Sequence, residues 1–285
     1  MKNVHKLALT TFLTTLACTS ASAQDGFVGV SIGGLSGSNI DNDDEYNGST
    51  AQIEGSIGKE YGDFRFIADG RARLIEFDTN EVETLDGDPS SSLYALHALY
   101  GVRETIDLGL FAAAGWADTG DEDPQFALSG YGIEAHYLIN ANFTAYGQIA
   151  QFEASRDASS PNGTQDATLV RLGGTYGGLQ NTTLYADVQW ATASDYEDDG
   201  EDYEFHNLSL GGETVLRGSQ FAVTYDVAFF GSTPIAGSDD DSMRSTEIAL
   251  GVRYTFGNAG SARAAGHIGA PSLISETNMF AELHN

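Results

Sequence analysis

The stretch Ser245-Thr-Glu-Ile-Ala-Leu-Gly-Val-Arg-Tyr-Thr-Phe256 decides how the rest of the chain is interpreted. Every second residue from Ile248 to Phe256 is apolar or aromatic, and the residues between them are small, polar or charged. Side chains along a strand point alternately to its two faces, so this alternation predicts a strand with one apolar face and one polar face. A two-sided sheet of a soluble protein gives the same alternation, so the stretch alone leaves the fold class open.

The same alternation recurs along the chain in about a dozen segments, and the connections between them alternate between short turns and longer, acidic loops. The predicted strands are 26–35, 50–60, 63–77, 91–103, 106–116, 127–139, 142–154, 167–176, 182–193, 203–216, 219–231 and 243–256. This regularity predicts an all-β fold, a transmembrane antiparallel β-barrel of about twelve strands with short periplasmic turns and long acidic extracellular loops. A soluble sandwich or a lipocalin-like barrel is the alternative.

The final predicted strand also carries a motif. Gly251-x-x-Tyr254-x-Phe256 resembles the C-terminal β-signal of Gram-negative outer-membrane β-barrels, although a tail follows it here and Ala249 stands where a polar residue is expected. The chain is thus similar to the porin-like class of these proteins. The resemblance implies that Gly251, Tyr254 and Phe256 form an assembly signal for the barrel-insertion machinery. It also implies a location in the cell outer membrane.

The two ends of the chain predict segments outside the barrel. Residues 1–23 combine Lys2 and Lys6, an apolar middle and an Ala-Ser-Ala site before Gln24, which is typical of a signal peptide that directs export. A lipoprotein anchored at Cys18 is the alternative, but the residues before that cysteine fit a lipobox poorly. We therefore predict a leader at 1–23, a barrel at 24–257 and a flexible periplasmic tail at 258–285.

Composition excludes several classes of function. The formal net charge of −28 opposes nucleic-acid binding, which requires a basic surface. The only cysteine, Cys18, falls in the predicted leader, so disulfides and thiolate metal sites are not expected in the exported chain. No apolar run reaches the roughly 18 residues of a spanning helix.

Most acidic residues fall in the predicted outer loops, as in Asp239-Asp240-Asp241. One interpretation is a solvated hydrophilic rim. The other is weak Ca²⁺ or Mg²⁺ binding, because clustered carboxylates repel one another and a divalent cation relieves that repulsion. Such ions would bridge the loops to lipopolysaccharide. No loop has the spacing of an EF-hand, so we expect no specific metal site and no cofactor.

Inward-facing charged residues are the candidate functional residues. A lumen lined by both positive and negative side chains forms either a water-filled pore or an internal salt-bridge network. The sequence leaves both possibilities open. A barrel of about twelve strands has a narrow lumen, because barrels of eight strands are filled by side chains and barrels of sixteen strands enclose an open channel. The predicted pore-lining residues are Arg65, Asp69, Arg71, Arg73, His97, Arg103, Glu134, His136, Arg171, Asp187, Glu213, Asp226, Glu247 and Arg253.

Enzymatic activity is not expected. His206 and Ser209 stand three residues apart on a predicted strand, so they point to opposite faces and cannot act as a pair. The class resemblance instead implies a porin-like channel for passive diffusion of small hydrophilic solutes. The alternative is a non-conducting structural or surface-interaction barrel whose acidic loops contact cations, lipopolysaccharide or other cells. Homo-oligomer formation is left open.

Overall fold

The protein was analysed as a computed structural model. It describes residues 25–39, 45–77, 89–118, 125–156, 164–196, 201–235, 242–257, 268–269 and 271. The described residues contain twelve strands: β1 (Asp25–Asn39), β2 (Glu45–Tyr61), β3 (Phe64–Phe77), β4 (Ser90–Arg103), β5 (Ile106–Asp118), β6 (Gln125–Asn140), β7 (Phe143–Arg156), β8 (Thr164–Leu179), β9 (Thr182–Tyr196), β10 (Glu201–Val215), β11 (Phe221–Pro234) and β12 (Met243–Phe256). Within this part of the chain, no helix is long and apolar enough to span a bilayer.

The strands form one closed antiparallel barrel in chain order. The first and last strands close it, with β1 and β12 in register from Gly26 opposite Phe256 to Asn39 opposite Met243. Closure pairs the backbone groups of every strand with those of two neighbours and leaves no sheet edge, which a segment in hydrocarbon requires. The predicted antiparallel barrel of about twelve strands is therefore confirmed.

Several strands are longer than the alternation predicted. β1 was expected to end at residue 35 but continues to Asn39, and β2 begins at Glu45 rather than at residue 50. The added residues pair with one another, as Ser36 does with Asn47 and Ser38 with Glu45. Backbone hydrogen bonds extend a hairpin whatever its side chains are, so polar residues assigned to a loop from their composition are part of the strands.

The connections differ at the two ends of the barrel. At the end that carries Asp25 and Phe256, strands are joined by turns such as 62–63, 104–105, 141–142 and 180–181. Gly62 and Asn181 have φ values of 61° and 60° there, the left-handed region that glycine and asparagine tolerate best. We call this end the turn end and the opposite one the loop end.

The outer wall presents large apolar side chains to the surroundings. In β12, Leu250 is 61% exposed and Val252 is 49% exposed, whereas the neighbouring Arg253 is only 4% exposed. Ile32 and Leu96 repeat the pattern in β1 and β4. The predicted apolar outer face is confirmed, and it is the face that lipid solvates in a membrane-spanning barrel.

The interior is divided into two zones. At the loop end, inward residues form a cluster of buried apolar side chains, the apolar zone. From mid-barrel towards the turn end, most inward residues are charged or polar, and the buried Phe27, Ile67 and Leu99 lie among them. The apolar zone was not predicted from the sequence, where only charged residues were assigned to the lumen. Its larger members are Leu35, Tyr46, Ile75, Phe77, Leu93, Phe111, Phe126, Leu128, Phe152, Leu169, Tyr203, Phe205, Phe230 and Met243.

Several predictions concern residues outside the described ranges. This group consists of the leader 1–23, most of the tail, and the predicted outer-loop residues 40–44, 78–88, 119–124, 157–163, 197–200 and 236–241. The exceptions in the tail are Ile268, Gly269 and Pro271. These three residues lie inside the barrel, against side chains of the lumen, and a flexible periplasmic tail at 258–285 stays a prediction.

Candidate functional site

The candidate site is the charged zone of the lumen, between the apolar zone and the turn end. Strand alternation places its side chains inside, because most of them follow an outward apolar residue by one position. Carboxylates outnumber guanidinium groups among them. Its ionisable members are Glu54, Arg65, Asp69, Arg71, Arg73, His97, Asp107, Glu134, His136, Arg171, Asp187, Glu213, Asp226, Glu247 and Arg253.

Arg171 on β8 and Asp187 on β9 form a buried two-point ion pair. Arg171 Nε donates to Asp187 Oδ1 at 3.2 Å, and Arg171 Nη2 donates to Oδ2 at 3.0 Å. Tyr146 and Gln189 donate to the same carboxylate, each at 3.1 Å. The parallel bonds fix the guanidinium plane, which leaves Nη1 directed into the lumen.

Arg253 on β12 joins two strands that are not its neighbours. Its Nη2 atom lies 2.5 Å from Glu54 Oε1 on β2, and its Nη1 atom donates to Glu213 Oε2 on β10. The guanidinium carbon also lies 4.2 Å from the ring centroid of Phe27. Because Arg253 and Glu213 are almost completely buried, losing either partner would leave an uncompensated charge in the interior.

Further ion pairs connect β3 to other parts of the wall. Arg73 Nη2 lies 2.7 Å from Glu247 Oε2 on β12, and Thr50 donates to the other oxygen of that carboxylate. Nearer the turn end, Arg65 Nη2 lies 2.8 Å from Asp107 Oδ2, and both side chains are partly exposed. These pairs link β3 both to β12 and to β5, so they brace a wide part of the lumen.

Two histidines and two carboxylates form a separate buried cluster. His97 Nε2 lies 2.7 Å from Asp69 Oδ2, and His97 Nδ1 lies 2.9 Å from Glu134 Oε1. His136 Nε2 lies 3.8 Å from the other oxygen of Glu134, which also accepts from Gln148 Nε2 at 3.0 Å. His97 thus bridges β3 and β6 from its position on β4.

A cavity of about 170 Å³ opens among these groups. Its wall comes from strands around most of the barrel and includes ionisable groups of both signs. This is room for several water molecules or a small solute. Its charged lining residues are Glu54, Asp69, Arg71, Arg73, Arg171, Asp187, Asp226, Glu247 and Arg253.

The structure brings the predicted pore-lining residues together with one exception. Arg103 is exposed at the last position of β4, where the register with β5 shifts between Gly101 and Arg103. The period-two extrapolation fails there because a shifted register re-aims the side chains after it. The remaining predicted residues contribute to the charged zone, but a role in solute passage stays a prediction.

Sequence reasoning missed two components of the site. Gln148 on β7 is buried and bonds to both Glu134 and Arg171, but it carries no charge and did not enter a charge-based selection. The tail residues Ile268, Gly269 and Pro271 have no strand alternation that could place them. Gln148 was available from its inward position on β7, whereas the tail contact had no signal in the sequence.

The structure also shows where His206 and Ser209 lie and whether a metal site is formed. His206 is exposed on the outer face of β10, whereas Ser209 lines the cavity and donates to Asn207. The prediction that these two side chains point to opposite faces is confirmed. Among the described residues, no group of three or more His, Cys, Asp or Glu side chains is arranged to hold a metal ion.

Comparisons with known proteins give only a likeness of shape. No family profile and no curated sequence matches the chain. Solved structures similar to it include the KdgM porin, at 8% identity over 79% of this chain and 99% of that one, with a TM-score of 0.45. Another is outer-membrane expressed OmpT of Vibrio cholerae, at 11% identity over 83% of this chain and 99% of that one, with a TM-score of 0.43.

A third similar structure is the translocator domain of the autotransporter NalP from Neisseria meningitidis. It has 12% identity over 89% of this chain and 96% of that one, with a TM-score of 0.46. Because the identities and TM-scores are this low, the evidence for the barrel architecture is the strand pairing of the chain itself. They carry no argument about what passes through the lumen.

Proposed function

We propose that the protein is a porin-like channel of the cell outer membrane that allows passive diffusion of small hydrophilic solutes. The observation that carries the proposal is the cavity of about 170 Å³ enclosed by the barrel and lined by charged groups from strands around its wall. A water-filled space with polar walls lowers the cost of moving a hydrophilic solute across hydrocarbon. The apolar outer wall supports the membrane location, because lipid solvates that face.

The charge balance of the zone supports a preference for cations. Glu54 and Glu213 share the single guanidinium group of Arg253, so two negative charges face one positive charge there. Asp226 accepts from the uncharged Tyr185 and adds a further negative charge to the cavity wall. The acidic loops predicted from the sequence have the same sign, and fixed charges attract counter-ions most strongly at low ionic strength.

The test is single-channel conductance of the refolded protein in planar bilayers, in KCl, with reversal potentials under a salt gradient. The proposal expects steady openings and a reversal potential of the sign that marks cation selectivity. Silence from a barrel proven folded by its heat-modifiable electrophoretic mobility would contradict the channel. Selectivity for chloride would instead show that the lumenal arginines dominate the field.

The second candidate is a non-conducting structural or surface-interaction barrel. Two observations favour it. The apolar zone leaves side chains such as Phe205 and Leu169 almost inaccessible. Four arginines of the charged zone form ion pairs with carboxylates. Under this proposal the acidic loops contact lipopolysaccharide through Ca²⁺ or Mg²⁺. Binding to lipopolysaccharide vesicles that is lost on chelation, together with electrical silence, would support it over the channel.

A further inference from the structure

The tail residues Ile268, Gly269 and Pro271 are held inside the lumen by their backbone carbonyl groups. Gln148 Nε2 donates to the carbonyl oxygen of Gly269 at 3.1 Å, and Arg171 Nη1 donates to the same oxygen at 3.2 Å. Arg71 Nη2 donates to the carbonyl oxygen of Pro271 at 3.0 Å. The side chain of Ile268 is buried, with 7% of its surface exposed.

The donors of this contact come from opposite sides of the barrel. Arg71 lies on β3, whereas Gln148 and Arg171 lie on β7 and β8. Four strands separate β3 from β8 along the shorter path through β4, and six separate them along the other path. A backbone segment bound at both positions therefore lies between the two sides of the barrel, with Arg71 reaching it from one side and Arg171 from the other.

Two of the three donors, Gln148 and Arg171, are oriented by contacts with other side chains of the wall. Arg171 is fixed by its two bonds to Asp187, which direct Nη1 away from that carboxylate. Gln148 donates to Glu134 and accepts from Arg171, so its amide plane is set by two neighbours. Donors fixed in this way bind an acceptor oxygen without ordering their own side chains first, which lowers the entropic cost of binding.

Glycine at position 269 suits this place in the lumen. Gly269 has a φ of 73°, in the left-handed region that other L-residues adopt only with strain. A Cβ atom added there would lie 3.4 Å from Asp69 Oδ1, an ordinary van der Waals distance, so the backbone conformation rather than a lack of space favours glycine. At the point where the tail contacts the wall, it thus has a left-handed backbone conformation and a residue that tolerates it.

We infer that Arg71, Gln148 and Arg171 form a binding site for acceptor oxygens, and that the chain's own residues Ile268, Gly269 and Pro271 occupy it and narrow the lumen. The site binds backbone carbonyl groups, so its occupant is a stretch of polypeptide. The narrowing part of this inference rests on the proposed channel function, whereas the binding part does not.

Cysteine modification tests the binding part without any measurement of conduction. In a Cys18→Ser background, which removes the native cysteine, Ile268→Cys places one thiol in the tail and Arg217→Cys places one in an exposed turn as the control. In the folded barrel, a maleimide reagent should modify position 268 at least about tenfold more slowly than position 217, because the thiol must wait for local opening.

Adding Arg71→Ala should remove much of that protection at position 268 and leave the rate at position 217 unchanged. Gly269→Val is the second variant, since it strains the tail and leaves every strand intact. Equal rates at positions 268 and 217 in the parent barrel would overturn the inference. Protection that neither second substitution weakens would overturn the assignment of the site.

Conductance tests the narrowing part. A chain that ends at Gly257 keeps all twelve strands and lacks the tail, and it should show a higher single-channel conductance than the full chain. Equal conductance of the two chains would overturn the narrowing even where position 268 is protected. Silence of both chains contradicts the channel itself, and the modification rates then still decide whether the tail is bound.

Discussion

The two zones of the barrel interior obey the same strand alternation but bury opposite chemistry. In the apolar zone, Phe205 packs near Tyr203 and Phe230, with ring centroids 6.1 and 6.3 Å away. In the charged zone, Arg171 and Asp187 are buried to a similar extent but satisfy each other through hydrogen bonds. The apolar zone fills its part of the lumen by packing, whereas the charged zone pairs its charges around a cavity of about 170 Å³.

The two zones therefore contribute to different properties, the apolar zone mainly to the stability of the barrel and the charged zone mainly to the proposed passage of solutes. An apolar constriction stabilises the barrel through burial, and it hinders water and ions because it offers them no hydrogen bonds. A charged network contributes less net stability, since desolvation offsets most of the attraction between its charges. It does, however, provide polar contacts to a solute or to the tail. We therefore expect substitutions in the two zones to change different properties.

The largest effect is expected from a charge in the apolar zone. Phe205→Asp removes a side chain that is 1% exposed and leaves a carboxylate without a partner. Loss of the ring alone costs about 3–5 kcal/mol, and the buried charge adds to it. We expect no heat-modifiable folded band after refolding, whereas Phe205→Leu should fold. A folded Asp variant would show that water reaches this zone.

The next effect concerns one partner of the buried ion pair. Arg171→Met should lower the free energy of unfolding by about 3–5 kcal/mol, because Asp187 keeps its charge in the interior. The double variant Arg171→Met/Asp187→Leu should recover part of that loss, although Tyr146 and Gln189 then lose an acceptor. Urea titrations followed by electrophoretic mobility measure both. A double variant less stable than the single one would show that the charged zone stabilises by more than local pairing.

The smallest effect on stability, with a clear effect on passage, is expected at Arg73. Arg73→Gln removes the positive partner of Glu247, which keeps its bond from Thr50. The barrel should fold, and the reversal potential should shift towards stronger cation selectivity. Arg217→Gln makes the same charge change in an exposed turn and is the matched control. An equal shift in both variants would place the selective field outside the charged zone.

Much of the fold could be predicted from the sequence, because each strand carries its own alternation. Leu250 and Val252 mark the outer face of β12, and alternation then places the neighbouring Arg253 on the inner face. The same rule failed at Arg103, where a register shift interrupts the alternation. The same alternation in β10 is consistent with the buried position of Phe205, which was not predicted because only charged residues were assigned to the lumen.

What the sequence determined by itself is the closed barrel with an apolar outer wall, because period-two patterning is local and acts in every strand. Only the tertiary structure decided which charges meet: Arg253 joins Glu54 and Glu213 across strands that are distant in the chain. It also decided that Gly269 lies between Gln148 and Arg171. Contacts across a lumen depend on closure and register, which are set by all strands together.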